Sequence, residues 1–200
     1  MKYVIFGSGG FAKEVIGYME DDGHEIEAVV STQPFNCDSY NQKYRIISKL
    51  EKDMFPESEF IMAVGDINIK KIFVSENENR WGNFIHSSCH ISKHTRMGKG
   101  ITICPFTTVL GDAVLGNFVT LNVYNCIAHD NIIGDFVTLS PYCGTMGNCK
   151  IGDECFFGTA SYCIPKVTLG NNVKVSAGSV VRHSYSDSVV LIGNPAKPRQ

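Results

Sequence analysis

Residues 121–135, LNVYNCIAHDNIIGD, set a histidine beside an acid, His129 and Asp130. An imidazole, with an ordinary pKa near ~6.5, is matched to accept a proton at neutral pH. A carboxylate beside it can orient the ring or raise its basicity. The pair suits acyl transfer, in which an amine or hydroxyl loses a proton as it attacks a thioester. Eighteen residues to either side stand Gly111 and Gly147, with Pro165 beyond. In a chain of that period the glycines leave open space around the ring and let the Gly147 N–H approach a ligand closely. Without the period, the pair is a surface histidine beside a turn acid.

Two other groupings invite chemistry. His86, His90 and His94 cluster early in the same region, where zinc is conceivable. A carbonic-anhydrase-like arrangement also needs a ligand shortly after His129, and Gly134 stands there, so no metal is expected. Near the N-terminus, the apolar strand Lys2–Phe6 runs into Gly7-Ser8-Gly9-Gly10 and a helix from about Phe11 to Glu20. A second strand, Ile26–Val30, ends in Ser31-Thr32, and a third, Phe60–Val64, ends in Gly65-Asp66 before another helix. This βαβ order predicts a small parallel sheet with ligands at the carboxyl ends of its strands. A dinucleotide site wants an acid after the second strand to hold a ribose. Ser31 and Thr32 stand there, and the segment is too short for a full Rossmann fold. One nucleotide with its phosphates at the helix N-terminus fits better, and a purely structural cap is the alternative.

The period that places His129 comes from a repeat. Stepping by six from Ile85 gives Ile91, Met97, Ile103, Val109 and so on to Val181, 17 positions of which 16 are hydrophobic. Composition alone predicts about seven or eight. Thr145 is the exception. Four residues after each comes a small or β-branched residue, including Thr107, Ala113, Asn125, Asn131, Cys149, Val167 and Ser179. Each hexad reads as one strand and a turn, and three hexads close a triangular coil of 18 residues. Gly98, Gly116, Gly134, Gly152 and Gly170 recur at that spacing, followed by Lys99, Asn117, Asp135, Asp153 and Asn171. They are expected to supply the positive φ or side-chain bonding of tight corners. A period of six does not match a helix, so a parallel β-helix is predicted.

The bulk properties narrow the rest. The 200 residues suit one domain or two small ones. The expected division is 1–80, 81–186 and a tail 187–200, with a junction at Asn77–Asn83. A net charge of −2 points to neither nucleic acid nor an anionic membrane. No apolar run approaches the ~18–20 residues of a membrane span, and MKYVIF reads as a buried strand rather than a leader. A cytoplasmic protein is expected. The eight cysteines contain no C-x2-C pair. Cys89, Cys143, Cys149 and Cys155 fall at the small interior position and Cys163 at the large one, where they read as small buried hydrophobes.

Four segments, FGSGGFAKEV, FIMAVGDINIKK, HDNIIGDF and the closing GNPAK at Gly193–Lys197, resemble the nucleotide-amino-sugar acetyltransferases of bacterial glycan synthesis. That hexapeptide-repeat group includes sialic-acid O-acetyltransferases and the UDP-4-amino-sugar N-acetyltransferase of bacillosamine synthesis. The likeness covers nearly the whole chain. It implies a truncated Rossmann-like α/β domain followed by a left-handed parallel β-helix, assembled as a homotrimer with active sites between neighbouring coils. It implies His129 as base with Asp130 as its acidic partner. Acetyl-CoA would run past Thr138, Gly147, Thr159, Ala177 and Lys197, and a nucleotide-linked amino sugar would lie against Gly9, Gly10, Phe11 and Gly65. Ser31 and Thr32 replace an acidic pair that contacts the sugar nucleotide in many relatives, and Thr138 stands where one relative has a histidine. The implied reaction is N-acetylation of a nucleotide-linked 4-amino-4,6-dideoxy sugar for surface glycan such as lipopolysaccharide O-antigen. O-acetylation of sialic acid or another sugar hydroxyl, and a non-catalytic trimeric scaffold, are the alternatives.

Overall fold

The computed structural model describes residues 2–51, 54–77 and 80–199. Residues 78 and 79 of the expected junction lie outside the described residues. The chain begins with β1 (Lys2–Phe6), α1 (Gly10–Asp21), β2 (Glu25–Val30), α2 (Asp38–Lys43), β3 (Ile46–Ile47), β4 (Ser58–Met62) and α3 (Ile67–Glu76). The four strands form a parallel sheet in the order β3-β2-β1-β4. Val4, Ile5 and Phe6 of β1 are fully buried, as a central strand covered on both faces requires. Helix α1 buries Ala12, Val15, Ile16 and Met19, one helical stripe. Helix α3 starts at Asp66, whose Oδ1 accepts from the N–H groups of Asn68 and Ile69 at 2.8 and 3.0 Å. The short α2 and β3 lack a periodic apolar signal and were not anticipated.

From Phe84 the chain winds into a parallel β-helix whose two-residue strands build three flat faces. The first face runs from Phe84–Ile85 through Thr120–Leu121 and Thr138–Leu139 to Lys174–Val175, and continues into Val190–Ile192. The second face runs from His90–Ile91 through Cys126–Ile127 and Gly144–Thr145 to Val180–Val181, and the third from Arg96–Met97 to Thr168–Leu169. The hexad positions from Ile103 to Val181 are buried inside the coil, whereas Met97 is 36% exposed because no coil lies beneath it. Part of the expected tail belongs to this body. Lys197–Pro198 folds back antiparallel on Val190–Ile192, and Ala196 is buried.

Two expectations about the repeat need correction. The recurring glycines do not carry the positive φ. That conformation falls two residues later, on Gly100, Phe118, Phe136, Glu154 and Asn172. The glycines are needed for close approach: a Cβ on Gly116 would strike Asp135 Oδ1 and the backbone of the next coil. From Gly116 to Gly170, the polar residue after each glycine caps the coil below, as when Asp135 Oδ1 accepts from the Asn117 N–H at 2.7 Å. The interior cysteines are more than small hydrophobes. Cys89, Cys143, Cys149 and Cys155 each point a thiol at the carbonyl fifteen residues ahead, at 3.1–3.2 Å. Thr107 and Asn125 do the same at 2.8 Å with stronger donors. All eight cysteines are free.

The α/β unit packs on the first face of the coil. Phe6, Phe60, Trp81 and Phe118 share one apolar cluster, and Thr102 Oγ1 donates to the Met62 carbonyl at 2.8 Å. At the centre of this seam is Lys70 of α3, fully buried. Its Nζ donates to Thr120 Oγ1 at 2.7 Å, Thr138 Oγ1 at 3.1 Å and the Phe118 carbonyl at 3.4 Å. Burial pushes the Lys70 ammonium down to about 7, whereas in the unfolded chain it keeps its value of 10.5. Between those values the unfolded chain holds the extra proton, so stability rises with pH and is lost as pH falls towards 7. The expected slope is at most about 1.4 kcal/mol per pH unit. Denaturation of wild type and Lys70→Met at pH 7, 8 and 9 should show the stability of wild type relative to the variant rising with pH, since the buried cysteines titrate alike in both.

Candidate active site

All four parallel strands end at one edge of the sheet. There Gly7–Phe11, Ser31–Gln33, Ala63–Asp66, Ile69 and Phe73 line a cleft of about 420 Å³. The six sequence-derived residues Gly9, Gly10, Phe11, Ser31, Thr32 and Gly65 are all on its wall. Gly7 takes a φ of +122°, and a Cβ there would meet the Ala63 carbonyl at 2.6 Å, so only glycine makes this turn. Gly9 and Gly10 face open space. Gly9 caps α1 without a side-chain bond, and no acidic residue stands in the first turn. The free N–H groups of a 12-residue helix therefore point at the cleft, an arrangement that suits phosphate.

At the end of β2, Ser8, Ser31 and Gln33 close a ring of hydrogen bonds. Ser8 Oγ donates to the Gln33 carbonyl at 2.8 Å and lies 2.7 Å from Ser31 Oγ, which accepts from the Gln33 N–H at 3.3 Å. Ser31 is 9% exposed and its hydroxyl is engaged, while Thr32 is open to the cleft. Gln33, Asp66, Ile69 and Phe73 also line the wall. A helical reading of the segment after Gly65 would have put Ile69 and Phe73 one turn apart on a single side. Gln33 carried no such signal.

His129 lies at the corner between the second and third faces, directly after Ala128 and the strand Cys126–Ile127. Two backbone bonds hold the corner: the Asp130 N–H to the Gly111 carbonyl, and the Asn148 N–H to the His129 carbonyl, both 3.0 Å. Asp130 has a φ of 58°. Its Oδ2 stands 2.7 Å from His129 Nδ1. With Nδ1–H directed to the carboxylate, Nε2 carries the lone pair. The side chains are 60% and 53% exposed, so the base is open to a reactant.

The two flanking glycines are not equivalent. A Cβ on Gly147 would lie 2.6 Å from both Cε1 and Nε2 of His129, so the ring occupies the space a side chain would take. Gly111 has nothing nearer than Ser92 Oγ at 3.9 Å and leaves open space. The other resemblance-derived residues are dispersed. Thr159 and Ala177 lie at the corner between the first and second faces, and Lys197 on the antiparallel return at the edge of the first. Thr138 is seated in the seam, 6% exposed and bonded by Lys70 Nζ, away from any outer groove. Among the early histidines, His86 bonds Ser88 Oγ at 2.8 Å and faces Asp22 at 3.7 Å. Burial pushes the Asp22 carboxyl up, but the hydrogen bonds from Ser87 and the nearby His86 and His24 outweigh it and leave the carboxyl below its usual range. Within one chain the cleft and His129 do not meet, because the α/β unit covers the first face and His129 stands at the opposite corner.

Known proteins combine the same parts. Residues 2–76 match the family described as PglD N-terminal domain, and residues 149–182 match the hexapeptide repeat of succinyl-transferase. The GDP-perosamine N-acetyltransferase of Escherichia coli O157:H7 is 27% identical over 215 aligned positions, covering 96% of this chain and 82% of that protein. An uncharacterized protein, L142, of Acanthamoeba polyphaga mimivirus is 33% identical over 118 residues, covering 56% of this chain but 23% of that protein. Among solved structures, a histidine-to-asparagine mutant of perosamine N-acetyltransferase from Caulobacter crescentus, in complex with CoA and GDP-perosamine, has a TM-score of 0.88 at 28% identity. That match covers 100% of this chain and 97% of the other. The acetyltransferase domain of PglB from Neisseria gonorrhoeae shares the fold, with a TM-score of 0.88 at 24% identity over 99% of this chain and 98% of the other. The chain thus carries a PglD N-terminal domain followed by hexapeptide repeats and is homologous to the perosamine N-acetyltransferases, which are sugar N-acetyltransferases of the hexapeptide type.

Proposed function

We propose that this protein transfers the acetyl group of acetyl-CoA to the amino group of a nucleotide-linked 4-amino-4,6-dideoxy sugar, with His129 as general base. The observation that carries the reading is the open His129–Asp130 pair, whose Nε2 is left free to take a proton. The sugar amine attacks the thioester carbonyl and a C–N bond forms. Nε2 removes the proton from that nitrogen, the C–S bond breaks, and the imidazolium returns the proton to the departing thiolate. Asp130 keeps the ring in the required tautomer. The phosphates of the sugar nucleotide fit the N-terminus of α1, with Gly9, Gly10, Phe11, Thr32 and Gly65 around them. Surface-glycan synthesis in the cytoplasm suits the free cysteines. No helix among the described residues is long and apolar enough to cross a membrane.

The same geometry supports a trimeric assembly. The outward residues of the second face, from Thr108 and Leu110 through Cys126, Ala128, Gly144 and Met146 to Tyr162, Ile164 and Val180, carry no charge until Arg182 at its upper end. The third face presents Arg96 and Lys150, and the first is covered by the α/β unit. A second copy on the second face, closed into a ring of three, buries this wall. It also brings the His129–Gly147 corner of one copy against the Thr159–Ala177 corner of the next, a groove for acetyl-CoA with Lys197 towards its upper end.

Thiol release from acetyl-CoA, measured with UDP-, dTDP- and GDP-linked 4-amino sugars, tests the reaction. At least one should turn over, and His129→Ala should lose ~10²–10⁴-fold. Undiminished turnover in that variant overturns the base. Faster acetylation of a sugar hydroxyl overturns the amine acceptor, and absence of CoA binding by calorimetry favours the scaffold. Gly147→Ala displaces the ring and should lower kcat ~10²-fold while the fold persists. Light scattering should give three times the 22.0 kDa chain mass. Ile164→Glu, tolerated in a single chain because Ile164 is 36% exposed, should release smaller species.

A further inference from the structure

We propose that Asn131 is a positioning residue of this site, its side-chain amide fixing from inside the coil the two turns that hold His129 over Gly147. The proposal rests on His129 acting as the base. Asn131 is fully buried. Its Nδ2 donates to the Ala128 carbonyl at 2.7 Å within its own turn and to the Met146 carbonyl at 3.1 Å in the next coil. The carbonyls of His129 and Thr145 lie at 3.4 Å. Ala128 directly precedes His129, and Met146 directly precedes Gly147. One planar amide thus braces the two turns that the backbone ladder registers, and the imidazole occupies the space left above Gly147.

The same interior column shows what the coil requires by itself. At 18-residue steps it holds Thr95, whose Oγ1 lacks a partner, and then Ala113, Asn131, Cys149 and Val167, these four buried. Cys149 makes one bond, from its thiol to the Ile164 carbonyl at 3.2 Å, the counterpart of the bond from Asn131 to Met146. Ala113 and Val167 have no side-chain polar atom to bond, so the fold accommodates this position without a donor. Asn131 also leaves its Oδ1 buried without a hydrogen-bond partner, as Thr145 does its Oγ1 in the coil above. An unpaired buried amide oxygen destabilises a fold. A coil built for stability alone would carry alanine or valine here. Asn125 also leaves an oxygen unpaired, but its Nδ2 reaches one carbonyl, that of Ser140, at 2.8 Å. The amide that spans two turns is the one beneath His129.

The test uses the full-length protein and measures kcat and both KM values for Asn131→Ala, Asn131→Cys and His129→Ala. Asn131→Ala should lower kcat ~10–100-fold with the KM for acetyl-CoA and for the sugar nucleotide unchanged and the melting temperature kept. Asn131→Cys, which retains a donor to the Met146 carbonyl, should recover part of the loss. If the alanine variant does not assemble, Asn131→Val takes its place, since Val167 fills the same column. Wild-type kcat in Asn131→Ala or Asn131→Val beside an inactive His129→Ala overturns the positioning role alone. A kcat loss accompanied by equal rises in both KM values, or no recovery with cysteine, also overturns it. An active His129→Ala overturns the base itself, a separate result.

Discussion

Each coil is held on the next by backbone N–H to carbonyl bonds at a constant register, as in Ala128 to Thr145 at 2.9 Å and Ile132 to Cys149 at 3.0 Å. This strand ladder is made without side-chain choice, while interior side chains bond turn carbonyls such as those of Asn122 and Met146, so any residue lies directly over the one a coil earlier. Columns then behave as units. Phe106, Tyr124 and Tyr142 stack with centroids 5.0 Å apart because the register leaves them no other place. The same register puts a histidine ring where a side chain of residue 147 would be, and it makes glycine the residue that admits the ring. The geometry of the candidate site follows from the ladder rather than from a special loop.

The second constraint is the seam. A buried lysine without a carboxylate is held by three oxygens of one coil face, and this ties α3 to the β-helix. Burying a cation this way is unfavourable unless its donors are matched, so the contact is sensitive to spacing. Asp66, four residues earlier, both caps α3 and lines the cleft. The position of the cleft on the coil therefore depends on how Lys70 meets Thr120 and Thr138. In the trimer we propose, the His129–Gly147 corner of one copy lies against the Thr159–Ala177 corner of the next.

Much of the fold was legible in the residues. The six-residue series, the βαβ order and the position of His129 between glycines follow from periodicity, which reports which side of a strand a residue occupies. The reason for the glycines was not legible. Positive φ and close approach both call for glycine, and only the tertiary structure separates them: φ is positive at Phe118, while Gly116 meets the next coil. The cysteines read as inert filler, although their thiols point at carbonyls fifteen residues on, a distance invisible to a six-residue pattern. Helix α2 and strand β3 are too short and too polar to announce themselves.

The amino-acid sequence by itself determined the local quantities: strand, turn, repeat length, and a histidine with an acid beside it. These depend on neighbours along the chain and on columns of fixed spacing. The tertiary structure decided what depends on contacts between the two halves. It seated Thr138 under α3, gave Lys70 its three acceptors, closed Ser31 into a ring with Ser8 and Gln33, and set His129 on the side away from the cleft. The physical reason is that packing of α3 on the first face involves residues 48 to 68 positions apart, and no periodicity encodes a contact made once.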